Sequence, residues 1–216
     1  DAALANHLAE SLLWTLAACV GLWQVAHQSA IVVQILVATR QLGMSESAVG
    51  TSYVALGAGT VTASLLGDRI SRRFGPGPSL LAGFALTGVG WLLLAAAPTG
   101  PWGVAAFALN LGLFGVGAVL IFINFIGLRQ AATPEPLLGR MTSTMRWLIL
   151  LPAGPGALLG GWIGEHVGLR AALAFAGVAA LALSAAAALL SSLPQVRRLP
   201  QAAARVPFEA LDDATT

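Results

Sequence analysis

Gly67-Asp68-Arg69-Ile70-Ser71-Arg72-Arg73-Phe74-Gly75 is a short polar stretch between two apolar segments, each long enough to cross a bilayer. Its arginines and its aspartate cannot lie in hydrocarbon, where one charge near the centre costs roughly 3 kcal/mol or more. The stretch therefore predicts a tight aqueous turn between two transmembrane helices. Because short loops rich in arginine stay in the cytoplasm, the turn is also expected on that side of the membrane.

The composition of the whole chain is that of an integral membrane protein. Of its 216 residues, 57% are hydrophobic and 9% are charged, against about 25% charge in a typical soluble domain. Runs of alanine, leucine and glycine without alternation favour helices over a membrane β-barrel. The single cysteine, Cys19, excludes an internal disulfide and a cysteine-based metal cluster. No metal or cofactor motif is visible, and we expect no cofactor.

Counting outward from the turn predicts an all-α protein with six transmembrane helices. The helices are expected at about residues 12–38, 47–67, 78–97, 102–128, 141–164 and 169–193. They form one bundle, preceded by the end of a cytoplasmic linker at 1–11 and followed by a cytoplasmic tail at 194–216. Because the chain begins with Asp1 and not with methionine, we expect a fragment of a longer protein.

Two local signals mark helix starts, and the arginines indicate orientation. Ser45 followed by Glu46 predicts the N-terminus of the second helix, and Thr133-Pro134-Glu135 predicts another helix start. With six spans, both termini lie in the cytoplasm. The cytoplasmic arginines are then Arg69, Arg72, Arg73, Arg129, Arg140, Arg197, Arg198 and Arg205, against Arg40 and Arg170 outside and Arg146 within a span. This distribution follows the positive-inside rule.

A shift of 93 residues aligns part of the chain with itself. The matched positions are Leu65-Leu66-Gly67, Ile70 and Gly75 with Leu158-Leu159-Gly160, Ile163 and Gly168. Arg72 and Arg73 fall on Glu165 and His166. Because an offset of three spans inverts the topology, the second turn would lie outside and would have lost its arginines. The alignment predicts an inverted 3+3 repeat.

Polar side chains inside the spans are the candidates for function, because they are costly in a membrane. No catalytic motif is visible, so we expect no enzyme activity. At about 100° per residue, the polar residues of the first span fall within an arc of roughly 120°, and those of the fourth span share one face. The candidates for a substrate cavity are Gln24, His27, Gln28, Gln34, Asn110, Asn124 and Arg146. Interhelical hydrogen bonding is the alternative role for each amide.

Several of these residues have a second interpretation. His27 would either carry a proton, since imidazole titrates near physiological pH, or act as a hydrogen-bonding partner. Arg146 would either snorkel to the cytoplasmic interface or attract anionic substrates from the cavity. Pro152 and Pro155 predict a bend in the fifth span, which would be either a gate or a static kink.

The turn resembles the signature loop of the major facilitator superfamily, Gly-x-x-x-Asp-Arg-x-Gly-Arg-Arg. Asp68-Arg69 and Arg72-Arg73 match, while Ser64 and Ser71 replace the glycines, as is common in the copy between helices eight and nine. Three further segments are similar to the helix ten to eleven region of the enterobactin exporter and macrolide efflux branch: Arg129 to Met141, Met145-Arg146, and Pro155 to Gly161. The resemblance covers nearly the whole chain.

The resemblance implies half of a major facilitator fold, namely helices seven to twelve of a twelve-helix carrier. It implies alternating-access transport, as proton-driven efflux of a small amphipathic molecule of drug or siderophore type. The expected location is the bacterial inner membrane. The expected partners are the lipid bilayer, the substrate and the N-terminal six-helix half, with no nucleic acid. We expect Asp68, Arg69, Arg72 and Arg73 to form a gating loop at the inner face.

Two other functions remain open on the sequence alone. A six-helix substrate-binding subunit of a multi-component importer would have about this size, although the arginine-rich turn and the repeat count against it. A six-helix intramembrane hydrolase would need a Ser–His pair within the membrane, and His27 has no evident serine nucleophile motif.

Overall fold

The computed structural model describes residues 2–132, 139, 142–143, 146–147 and 150–196, with residues 2–10 and 132 described by their backbone alone. Within these ranges the chain is helical and has no β-strand. Its helices are α1 (Ala2–Leu36), α2 (Glu46–Phe74), α3 (Pro76–Ala95), α4 (Pro101–Ala132), α5 (Ala153–His166) and α6 (Leu169–Leu190). A π-helical turn, Val37–Gln41, continues α1, and a 3₁₀ turn, Leu193–Gln195, follows α6.

Five helices of the described chain are long and apolar enough to cross a membrane. They are Ser11–Gln41, Glu46–Phe74, Pro76–Ala95, Pro101–Ala131 and Leu169–Leu190. These are the regions in which the sequence predicts spans one to four and span six. The predicted fifth span, 141–164, includes residues outside the described ones, and its second half forms α5. The chain is therefore an all-helical, multi-pass membrane protein.

The arginine-rich stretch is helical, so the prediction of a turn over 67–75 is wrong. Helix α2 continues to Phe74, and the chain changes direction at Gly75, whose φ of 100° is rare for a residue with a Cβ. The Gly75 amide donates to Ser71 O at 2.9 Å and closes the helix. With 29 residues, α2 is about 43 Å long, against a hydrocarbon core of about 30 Å. The arginines can therefore be helical and still lie in the aqueous interface.

The helix is interrupted at the two prolines of the fifth span. Residue 150 is helical, residues 151–152 form a turn, and α5 begins at Ala153 with Pro152 as its N-cap. Pro155 lies in the first turn of α5, where a missing backbone donor costs nothing. The predicted kink is thus the boundary between two helical segments.

The ends of the predicted spans also differ from the structure. Residues 2–11, predicted as a linker end, are the first turns of α1. The helix start at Ser45 is confirmed, because Ser45 Oγ accepts a hydrogen bond from the Ala48 amide at 3.2 Å. The predicted helix start at 133–135 lies outside the described residues, as do residues 197–216 of the tail predicted at 194–216.

Of the five long apolar helices, α3 has the largest buried share. It packs against α4 and α6, while α2 packs against α4, and α1 packs against α5 and α6. Glycines allow the helix axes to approach closely: Gly59 of α2 faces Gly112 of α4, and Gly88 of α3 faces Gly177 of α6. Such small-residue contacts are typical of helix packing in membranes, where the surrounding lipid is as apolar as the side chains.

Candidate functional site: a polar–aromatic centre between three helices

Three nearly parallel rings lie inside the bundle. The ring centroid of His27 is 4.6 Å from that of Phe114 and 5.3 Å from that of Trp23, with interplanar angles of 14° and 5°. Trp23 and His27 are one helical turn apart on α1, so their rings share a face, while Phe114 belongs to α4. His27 is 9% exposed. Its imidazole is therefore held by stacking within the bundle.

Helix α3 contributes a fourth ring and a hydroxyl group. The ring centroid of Trp91 is 5.8 Å from that of His27. The indole Nε1 of Trp23 donates to Thr87 Oγ1 at 3.0 Å, and both groups are buried. Helices α1, α3 and α4 meet here, and we name the region the polar–aromatic centre. It comprises Trp23, His27, Thr87, Trp91, Asn110 and Phe114.

Asn110 completes the centre and is 1% exposed. It approaches α3 at Gly90, where an added Cβ would lie 3.0 Å from Asn110 Oδ1. Within the described part of the chain, neither Oδ1 nor Nδ2 of Asn110 has a hydrogen-bond partner, and the same holds for His27 Nδ1 and Trp91 Nε1. Four polar atoms are thus buried in one region without a partner from the described residues.

The polar stripe predicted on the first span divides into two sets. His27 and Gln34 are buried, whereas Gln24 and Gln28 are half-buried. Gln28 lies at the contact with α5, since a Cβ on Gly156 would be 3.1 Å from Gln28 Cβ. Gln24 and Gln28 are therefore the members of the stripe that retain exposed surface in the described chain.

The polar residues predicted to share a face of the fourth span are both buried. Asn124 is 2% exposed, and its Nδ2 donates to Leu120 O at 2.8 Å within the same helix. Asn110 faces α3, as described above. The polar face of α4 is therefore covered by the bundle.

Arg146 lies on an exposed part of the segment that precedes α5. Together with Ser143, Trp147 and Leu150 it lines an open groove of about 280 Å³. Trp147 is 70% exposed and Leu150 is 55% exposed. The groove thus combines one cation with an extended apolar surface.

The four charged residues of the predicted gating loop lie at the end of α2 and are exposed. Asp68 and Arg72, one turn apart, form an ion pair with a separation of 4.0 Å. The Arg73 guanidinium lies 5.6 Å from the centre of the Phe74 ring. These side chains are therefore accessible at the surface of the described chain.

Some contacts were not predicted from the sequence. For Thr87 and Trp91 the sequence does contain a signal, since they place polar atoms one helical turn apart in an apolar span. They are not among the candidate residues of the sequence analysis. Arg170 has no such signal. It donates from Nε to Gln41 Oε1 at 3.2 Å and from Nη1 to Ala95 O at 3.0 Å, across 129 and 75 residues of sequence. It thereby connects the ends of α1, α3 and α6.

No cluster of three or more His, Cys, Asp or Glu residues that could hold a metal ion is found among residues 2–132, residues 150–196 and the few described residues between them.

Comparison with known proteins gives the family. No curated protein is significantly similar to the chain in sequence. The sequence profile of the Major Facilitator Superfamily matches residues 3–212, which is nearly the full length of 216 residues. The proteins of this family are membrane transporters, and the long apolar helices of the structure fit that description. Because the match extends over all six described helices, the chain belongs to the major facilitator superfamily.

Proposed function

We propose that this chain is the C-terminal six-helix half of a carrier that works by alternating access and exports a small amphipathic molecule of drug or siderophore type, driven by the proton gradient. The family match carries the assignment to transport. The role as one half, the substrate class and the cavity are supported by the contacts of particular residues.

The helix contacts support an inverted repeat, as expected for half of such a carrier. An inverted repeat would relate α1 to α4, α2 to α5 and α3 to α6. Under this exchange the α2–α4 contact corresponds to the α5–α1 contact. The α3–α4 contact corresponds to the α6–α1 contact. All four contacts are observed, and the α3–α6 contact maps onto itself. Two inverted three-helix units would pack in this manner.

The exposed face of α2 supports a partner bundle. Val54 and Leu65 are each 72% exposed, and Val61 is 59% exposed. Gly57 and Ala58 are exposed on the same helix. Small residues allow a second helix to approach closely in a membrane. We assign this face to the contact with the N-terminal half and to the substrate pathway between the halves.

Gln24 and Gln28 are proposed as cavity-lining residues, because they are the members of the predicted polar stripe with exposed surface. Neutral amides in apolar surroundings suit a substrate that is amphipathic and has few charges. Arg146 would attract an anionic part of that substrate beside the apolar surface of Trp147. His27, Gln34, Asn110 and Asn124 lie behind this surface, inside the bundle.

The proposal is tested with the full-length carrier in bacterial cells that lack their major efflux pumps. The accumulation of a fluorescent amphipathic dye is measured with and without the carrier. We expect the carrier to lower dye accumulation, and a protonophore to abolish the effect. A carrier that raises accumulation contradicts export, and export that continues at the same rate after the protonophore contradicts proton coupling.

A further inference from the structure

We propose that the polar–aromatic centre binds ordered water, which connects α1, α3 and α4 through His27, Trp91 and Asn110. These side chains are 9%, 2% and 1% exposed, respectively. His27 Nδ1, Trp91 Nε1 and both amide atoms of Asn110 have no hydrogen-bond partner among the described residues. Inside a membrane such groups need partners even more than in a soluble protein. A small hydrogen-bonding molecule held between them supplies those partners.

His27, Trp91 and Asn110 lie near one another where α1, α3 and α4 meet. The ring centroids of His27 and Trp91 are 5.8 Å apart, and Asn110 Oδ1 lies beside Gly90, the neighbour of Trp91 in sequence. Two hydrogen bonds of about 2.9 Å in series through one water molecule span up to about 6 Å. Gly90 contributes by presenting no side chain, which allows the Asn110 amide to approach α3 closely.

The donors and acceptors also fit water. The indole of Trp91 only donates, Asn110 Oδ1 only accepts, Asn110 Nδ2 donates, and His27 Nδ1 takes either role. Water accepts from the indole and donates to the amide oxygen or to the imidazole. Buried waters typically make about three such hydrogen bonds. The neighbouring Trp23 shows the contrast, since its indole already donates to Thr87 Oγ1 at 3.0 Å.

A hydroxyl group of the substrate would offer the same chemistry. Water is favoured because the three side chains are closed off by their own bundle, whereas Gln24 and Gln28 retain exposed surface. The experiment separates the two sources by using carrier without substrate.

The first test is X-ray radiolytic labelling of the substrate-free, full-length carrier in nanodiscs. Bound water generates hydroxyl radicals in place, so Trp91 and His27 should be oxidised although they are buried. The control is Met44, which is 6% exposed and belongs to the same apolar cluster as Trp91, and whose sulfur oxidises readily. We expect oxidation of Trp91 to be several-fold faster than that of Met44. Equal protection of Trp91 and Met44 would overturn the proposal.

The second test is a double-mutant cycle on thermal stability. His27→Phe keeps a ring against Phe114 and removes Nδ1, and Asn110→Leu removes the amide at similar volume. Each is expected to lower Tm by about 2–4 °C. The Tm of the double variant should be no lower than that of the less stable single variant, because both substitutions remove the same water. Asn124→Leu is the control, since its amide bonds to Leu120 O within α4, and it should combine additively with His27→Phe. An unchanged or raised Tm for Asn110→Leu, or additivity with His27→Phe, would refute bridging water.

Discussion

Gly75 and Gly168, 93 residues apart in the sequence, have nearly the same backbone conformation. Their φ and ψ angles are 100° and 154° for Gly75, and 128° and 154° for Gly168. Each is the N-cap of a helix, α3 or α6, and each follows the end of the preceding helix. The turns are built alike, although arginines precede Gly75 and Glu165-His166 precede the other glycine. This likeness supports the proposed repeat.

The first prediction is that the two turns lie on opposite sides of the membrane, as an inverted repeat requires. In a Cys19→Ala background, cysteine is placed at Arg73 or at Val167, both of which are exposed. A membrane-impermeant thiol reagent should label Val167→Cys in intact cells and should label Arg73→Cys only after the cells are permeabilised. Labelling of both variants from the same side would contradict the inverted arrangement.

The second prediction concerns two adjacent glycines of α5. A Cβ on Gly160 would lie 2.6 Å from the carbonyl carbon of Ser29 on α1, whereas a Cβ on Gly161 meets nothing within 4 Å. Gly160→Ala should therefore cost about 1–3 kcal/mol through overpacking. Gly161→Ala should be neutral or stabilising by up to about 1 kcal/mol, through higher helix propensity. Thermal unfolding of both variants provides the comparison, and equal melting temperatures would argue against a close α1–α5 contact.

Local features of the fold were predictable, because they depend on short stretches of sequence. Hydropathy placed spans one to four and span six, and Ser45 marked a helix start that its hydroxyl then caps. The helical arginine stretch was missed because charge excludes residues from hydrocarbon but does not end a helix. The spacing of Asp68 and Arg72, four residues apart, is in fact the spacing of an ion pair along one face of a helix.

The candidate site was predictable only in part. Helical periodicity placed His27 and Gln28 within one arc of the surface of α1. Which side of that arc neighbouring helices cover depends on tertiary packing, which periodicity does not predict. His27 is buried against Phe114, while Gln28 lies at the α5 contact. The bonds of Arg170 join segments far apart in sequence, and no local pattern marks them.

The third prediction concerns Asp68, which pairs with Arg72 at 4.0 Å while both side chains are about 70% exposed. An exposed ion pair contributes at most about 1 kcal/mol, so Asp68→Asn should hardly change Tm. If the carboxylate closes the inner gate by changing partners, the variant should transport about tenfold more slowly at normal expression. The measurement is dye efflux per carrier in membrane vesicles. Efflux at the normal rate would restrict Asp68 to a structural role at the end of α2.

The last prediction distinguishes a cavity from a helix contact on α1. Gln28 is half-buried, whereas Gln34 is buried at 3% exposure. A hydrogen bond contributes about 0.5–1.5 kcal/mol, so losing one to the substrate weakens binding about twofold to tenfold. Gln28→Leu should therefore weaken substrate binding by that factor at nearly unchanged Tm, and Gln34→Leu, the same chemical change at a covered position, should leave binding unaltered. Substrate affinity and thermal stability are measured on both purified full-length variants. If Gln28→Leu lowers Tm and leaves affinity unchanged, the amide joins α1 to its neighbours and does not line the cavity.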